Sequence, residues 1–150
     1  MDGGGLGRNF MSDEKVFFDT NILVYFVDGN DTRKQNIAQD LVKKAVQNGN
    51  GIISTQSLQE FFNVITKKCL CSKSDAKTLV GMFSEQFPVA QVSVPQIQGA
   101  IDICIKHGLS FWDSLILSSA NDSGCTVVYS EDMNSGETID STRVLNPFVE

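Results

Sequence analysis

Short apolar runs alternate along this chain with stretches whose apolar residues recur every three or four positions. Val16-Phe17-Phe18, ended by Asp19, predicts a strand. Ile37, Ala38, Leu41, Val42, Ala45 and Val46 then repeat at helical spacing, with Thr32-x-x-Gln35 as a capping box before them and Gly49 as their stop. Gly51-Ile52-Ile53-Ser54 predicts a second strand. Leu58, Phe61, Phe62, Ile65 and Cys69 predict another amphipathic helix, and Ala76, Leu79, Val80 and Phe83 a third running from Ser74 towards Gln86. A third strand falls within Val89 to Val94. Pro95 suits the first turn of a helix carrying Ile97, Ala100, Ile101, Cys104 and Ile105, which ends at Gly108. Ser110 opens a further helix through Leu115, Ile116 and Ala120 to Gly124. Thr126-Val127-Val128-Tyr129 reads as a buried strand and Arg143-Val144-Leu145 as a short final one.

Strands that alternate with helices predict one α/β domain, its parallel sheet covered on both faces. Residues 1–13 follow neither pattern. With Gly3, Gly4, Gly5 and Gly7 ahead of a second methionine, Met11, they read as a flexible, vector-derived leader, and residues 14–150 as the domain. No apolar run approaches the ~18 residues of a membrane span.

Charge changes the picture. With 18 acidic and 12 basic side chains the net charge is −6, so a polyanion is repelled unless a metal ion or basic patch reverses the sign locally. Four cysteines, Cys69, Cys71, Cys104 and Cys125, in a chain without a secretory-type start point to the reducing cytoplasm. They are expected as buried or half-buried thiols rather than as a zinc site. A single histidine, His107, excludes a two-histidine acid–base ribonuclease, and its place before Gly108 suits a helix C-terminus. Neither a G-x-x-x-x-G-K-[ST] loop nor a G-x-S-x-G elbow occurs.

Acidic residues stand where parallel sheets bind ligands, beyond the carboxyl ends of strands. Asp19 follows the first strand, and Glu60 lies on a helix stripe with Gln56, Asn63 and Lys67. Asp113 is in the first turn after Ser110, and Asp132 stands just past Tyr129 beside Glu131. Each has an ordinary alternative: Asp19 and Asp113 as capping residues, Glu60 as a solvated helix residue, Asp132 as a loop acid. Together they can project towards one end of one sheet. Carboxylates so gathered repel unless a cation intervenes, and hard oxygen donors suit Mg²⁺ or Mn²⁺. Such an ion also converts an anionic pit into a phosphate-binding site and acidifies a water for attack on phosphorus.

The residues Phe17-Phe18-Asp19-Thr20-Asn21, Ser54-x5-Glu60-Phe61-x-Asn63, Phe111-Trp112-Asp113-Ser114-Leu115-Ile116 and Tyr129-Ser130-Glu131-Asp132-Met133 resemble the successive motifs of PIN domains. The likeness is to the VapC-like toxins of bacterial and archaeal toxin–antitoxin pairs. It runs from Lys15 to Phe148 and includes the ending Arg143-Val144-Leu145-Asn146-Pro147-Phe148. The resemblance implies a three-layer α/β/α fold around a central parallel sheet and a Mg²⁺- or Mn²⁺-dependent endoribonuclease. It assigns Asp19, Glu60, Asp113 and Asp132 to the metal site, supported by Asn21 and Ser130, with Glu131 able to share the role of Asp132. It also implies a homodimer and an antitoxin partner whose C-terminal segment lies across the active-site groove. Arg33, Lys34, Lys67 and Lys68 are the candidates to grip RNA. The expected reaction is hydrolysis of a phosphodiester to a 5′-phosphate and a 3′-hydroxyl. A PIN-like module that binds RNA or antitoxin without cutting is the alternative. A metal-dependent phosphatase ranks behind both, because Asp19-Thr20-Asn21 lacks the second aspartate of a D-x-D motif.

Overall fold

Strand β1 (Val16–Phe18) lies at the middle of the molecule, and its alternating side chains sort the core into two halves. Val16 and Phe18 join the apolar cluster on one face of the sheet, and Phe17 joins the cluster on the other. The computed structural model describes residues 14–149; the leader read into residues 1–13 lies outside them.

On the Phe18 face pack α1 (Thr20–Val27), α2 (Thr32–Asn48), α3 (Thr55–Lys67) and α4 (Lys73–Gln86), through Ile22, Leu23, Ala38, Phe61 and Phe83. On the Phe17 face pack α5 (Val94–His107) and α6 (Phe111–Asp122), through Ile103, Ile116, Leu117 and Ala120. Between them run β2 (Gly51–Ser54), β3 (Val89–Ala90), β4 (Val127–Tyr129), β5 (Thr138–Ile139) and β6 (Thr142–Leu145). The sheet order is β3-β2-β1-β4-β6-β5, parallel throughout except for the β5–β6 hairpin. This is a three-layer α/β/α arrangement. Strand order reverses at β1, which pairs with β2 on one side and β4 on the other, so a crevice opens beyond its carboxyl end.

Glycine is required where chains crowd. A Cβ on Gly51 would stand 2.6 Å from the Phe87 ring and 2.9 Å from the Ala45 methyl. Gly49 ends α2 in the left-handed region at φ 66°, as its position predicts.

Several boundaries differ from the sequence reading, each for a physical reason. The N-cap of α2 is Asp31, which accepts from the Lys34 amide, while Gln35 donates to the Phe26 carbonyl; the Thr32-x-x-Gln35 capping box does not form. Helix α1 is absent from the periodic pattern because Thr-Asn-Ile-Leu-Val-Tyr-Phe-Val is apolar nearly all round and is wedged against α2 and α3. The third strand shrinks to Val89–Ala90, and the short β5 adds an antiparallel edge. Cys69 lies beyond α3 in the left-handed region and is exposed, whereas Cys71 and Cys104 are half-buried and Cys125 is buried. In α5 the inward face is Gln96, Ala100 and Ile103, so Ile97, Ile101 and Ile105 point to solvent.

Candidate active site

Four elements end at the crevice beyond β1. Asp19 follows Phe18 directly and caps α1, with its own amide donating to the Tyr129 carbonyl of β4 at 3.0 Å. Ser54 ends β2 and caps α3, which carries Gln56 and Glu60 along its cleft-facing side. Ser110 caps α6 by accepting from the Asp113 amide at 3.1 Å, the local arrangement its spacing predicts. β4 ends in a turn through Ser130, Glu131 and Asp132. Asp19, Glu60, Asp113 and Asp132 thereby line one cleft of about 500 Å³.

Hydrogen bonds hold these carboxylates in place. Asp19 accepts from the Thr20 amide at 2.7 Å and from the Ser130 hydroxyl at 2.7 Å. Ser130 Oγ in turn accepts from the Asp132 amide at 3.2 Å. Asn21 works on both sides: its Nδ2 donates to Asp132 at 3.0 Å and to Asp19 at 3.5 Å, and its Oδ1 accepts from the Glu131 amide at 3.2 Å. Glu60 accepts from the Thr20 hydroxyl at 2.6 Å and from Gln56 at 3.4 Å. Ser130 and Asn21 thus join Asp19 to Asp132, and Thr20 joins the first helix to Glu60.

The cleft is electrostatically tense. Burial pushes Asp19 up to about 7 from the ordinary 3.8; the bonds from Ser130 and Thr20 oppose this, and the charges of Asp132 and Asp113 add to it. Asp113 is also raised, chiefly by desolvation; Ser110 counteracts this, and the Asp132 and Glu60 carboxylates reinforce it. Asp19, Glu60, Asp113 and Asp132 offer carboxylate oxygens, a ligand chemistry that fits a hard divalent cation. Among the described residues, no three His, Cys, Asp or Glu side chains converge tightly enough to enclose an ion alone. Water and substrate oxygens would have to complete its shell.

The neighbouring candidates separate. Glu131 also lines the cleft but is engaged at its side, accepting from the Tyr25 hydroxyl at 2.8 Å and pairing with the Lys34 ammonium. That ammonium also lies 4.9 Å from the centre of the Tyr25 ring and 5.7 Å from that of Phe148, and its pKa is raised by the bond to Glu131. Arg33 donates to the Phe148 carbonyl at 2.6 Å. Lys68 lines the cleft, while Lys67 is exposed in the last turn of α3. Tyr25 went unread as a site residue, although its i+4 spacing from Asn21 puts the two on one helix face. The Thr20–Glu60 bond spans 40 positions and leaves no local mark. Trp112 was visible only as the residue before Asp113; its ring is 61% exposed at the cleft.

A family model described as PIN domain matches residues 16–135. The chain belongs to the PIN-domain family. No curated protein matches this PIN domain by sequence. Its fold is similar to that of a toxin from Mycobacterium tuberculosis, VapC20, described as cleaving the sarcin–ricin loop (TM-score 0.65, 18% identity, 79% of this chain and 90% of that one). It is also similar to chains in a DNA-bound VapBC from Salmonella typhimurium (0.65, 17%, 87% and 96%) and in a toxin–antitoxin complex from Klebsiella pneumoniae (0.62, 16%, 89% and 98%). At such identities the likeness is one of fold. Among the described residues of this PIN domain, no helix is long and apolar enough to cross a membrane.

Proposed function

We propose that this PIN-domain protein is a Mg²⁺- or Mn²⁺-dependent endoribonuclease and the toxin of a VapBC-type pair. The observation that carries the reading is the cleft in which Asp19, Glu60, Asp113 and Asp132 face one another, tied by Asn21 and Ser130. These four carboxylates would hold the metal. When bound, the ion supplies Lewis acidity, acidifying a water and neutralising charge that gathers on the phosphate oxygens. Asp19 must give up its proton to serve as a ligand, a step that burial opposes and a bound cation would favour. Its two acceptor oxygens are aimed by the Thr20 amide and the Ser130 hydroxyl. Asn21 keeps Asp132 turned towards Asp19, and the Thr20 hydroxyl orients Glu60. Lys68 at the cleft offers a cation to the RNA backbone. No side chain is assigned as general base.

An antitoxin partner is supported by the toxin–antitoxin complexes among the fold neighbours. A homodimer is supported by α5, whose outward ridge of Val94, Ile97, Ile101 and Ile105 is apolar and flanked by Asp102 and Lys106, a face suited to pair with its own copy. Four free thiols suit the cytoplasm.

The test is a gel assay of purified protein on structured, single-stranded and total cellular RNA, with Mg²⁺ or Mn²⁺ against EDTA. Metal-dependent cutting that leaves 5′-phosphates and is lost in Asp19→Asn is the expected result. RNA or antitoxin binding without products on any substrate would favour the non-catalytic module. That second reading draws on the absence, among the described residues, of a self-sufficient metal cluster.

A further inference from the structure

We propose that Trp112 is a stacking platform for an unpaired RNA base next to the scissile phosphate. This rests on the nuclease reading above and deepens it. Trp112 is 61% exposed, although a tryptophan ring carries a large apolar area that proteins normally bury. It immediately precedes Asp113 in the first turn of α6, so the ring and a candidate metal ligand leave the same turn of helix.

The residue is held although its ring is open. Its carbonyl accepts from Gln56 Nε2 at 3.1 Å, from the same buried amide that reaches Glu60. On its other side, the Phe111 ring meets it edge-on, with centroids 5.0 Å apart and planes at 77°. A braced, two-torsion aromatic presents a flat surface at little cost in conformational freedom.

The surroundings suit a base rather than another apolar chain. Beside the main cleft, Trp112 lines a shallow groove of about 280 Å³ with Gln56, Gln59, Glu60 and Asn63. Exposed Gln59 and Asn63 offer amide donors and acceptors of the kind that read base edges. Lys68, in the adjoining cleft, supplies positive charge for the backbone. Stacking on one aromatic is tolerant of base identity, whereas a duplex keeps its bases stacked on each other and offers no free face.

Trp112 is the chain's single tryptophan, so intrinsic fluorescence reports on this position alone. Asp19→Asn protein should be titrated with labelled single-stranded RNA and with a blunt duplex of the same sequence, reading RNA anisotropy and tryptophan emission together. The expected result is saturable quenching that tracks binding of the single strand and is absent with the duplex. An abasic position beside the cut should abolish the quenching. Trp112→Ala should weaken single-strand binding by roughly tenfold to a hundredfold, and Trp112→Phe by much less. In the otherwise unaltered protein, the loss in Trp112→Ala should fall on KM rather than on the Mn²⁺ dependence. Binding without quenching, or unchanged affinity in Trp112→Ala, overturns the platform and leaves the nuclease intact. Emission that shifts with protein concentration instead of RNA assigns the ring to contact between copies and also overturns it. If neither this variant nor the unaltered protein with Mn²⁺ binds RNA by anisotropy, the nuclease reading falls, and the platform with it.

Discussion

Asparagine at position 19 removes a negative charge from a residue that is 5% exposed and whose pKa stands at about 7 instead of 3.8. Because the folded-state value is the higher one, ionisation costs the folded state stability. The cost is absent below pH 3.8, grows as pH rises and is complete above pH 7. A shift of about three units corresponds to about 4 kcal/mol. Part of it has already developed by pH 5, leaving about 2–3 kcal/mol to be lost between pH 5 and pH 8. Urea unfolding in EDTA, followed by circular dichroism at these two pH values, reads this directly. The wild-type midpoint should fall with pH relative to that of Asp19→Asn, which keeps the shape but not the titration. Mn²⁺ at a hundred times its Kd should restore about 2.7 kcal/mol to the wild type at pH 8 and little to the variant. Parallel pH–stability curves for the two proteins would refute the claim that burial and crowded carboxylates raise Asp19. Equal stabilisation by Mn²⁺ would refute its place in the metal site.

Three further outcomes follow from the same geometry. Thr20→Val keeps the shape but removes the 2.6 Å bond to Glu60; calorimetry should show Mn²⁺ binding weakened by about tenfold, the size of one bond to a charged group. Ser130→Ala deletes the donor that holds the Asp19 pKa down, so in EDTA the pH–stability curve should move to higher pH. Phe61→Ala empties a fully buried site whose ring centre lies 5.3 Å from that of Phe83; urea unfolding should show a loss of about 3–5 kcal/mol.

What was legible in the sequence was local. Asp19 stands at a strand end, Ser110 and Asp113 are three residues apart, and Gly49 and Gly108 close helices in the left-handed region, all as their spacing requires. Facing directions were less legible. On α5 the isoleucines at 97, 101 and 105 repeat as regularly as a buried stripe would, yet Gln96 turns inward instead. It can do so because its amide is satisfied across the interface by Asp122 at 2.9 Å and by Ser119 at 3.0 Å. Periodicity counts apolar residues and cannot foresee a polar one whose partners lie on another helix. The same limit applies to Glu131, adjacent to Asp132 in sequence and at the same cleft, but tied up by Tyr25 and Lys34, about a hundred positions away. Helix α1 escaped because its stripe has no polar side against which to show.

The contacts that assemble the cleft also set when it can exist during synthesis. Ser130 reaches Asp19, and Asn21 reaches Asp132, across 111 positions, and β1 gains its second neighbour only when β4 has been made. A chain still missing its last quarter has Asp19 but neither the hydroxyl that aims it nor the aspartate opposite. Closing so long a loop is slow compared with forming the helices made before it. In the nuclease proposed above, late closure would leave the nascent chain without a complete carboxylate site until translation is nearly complete.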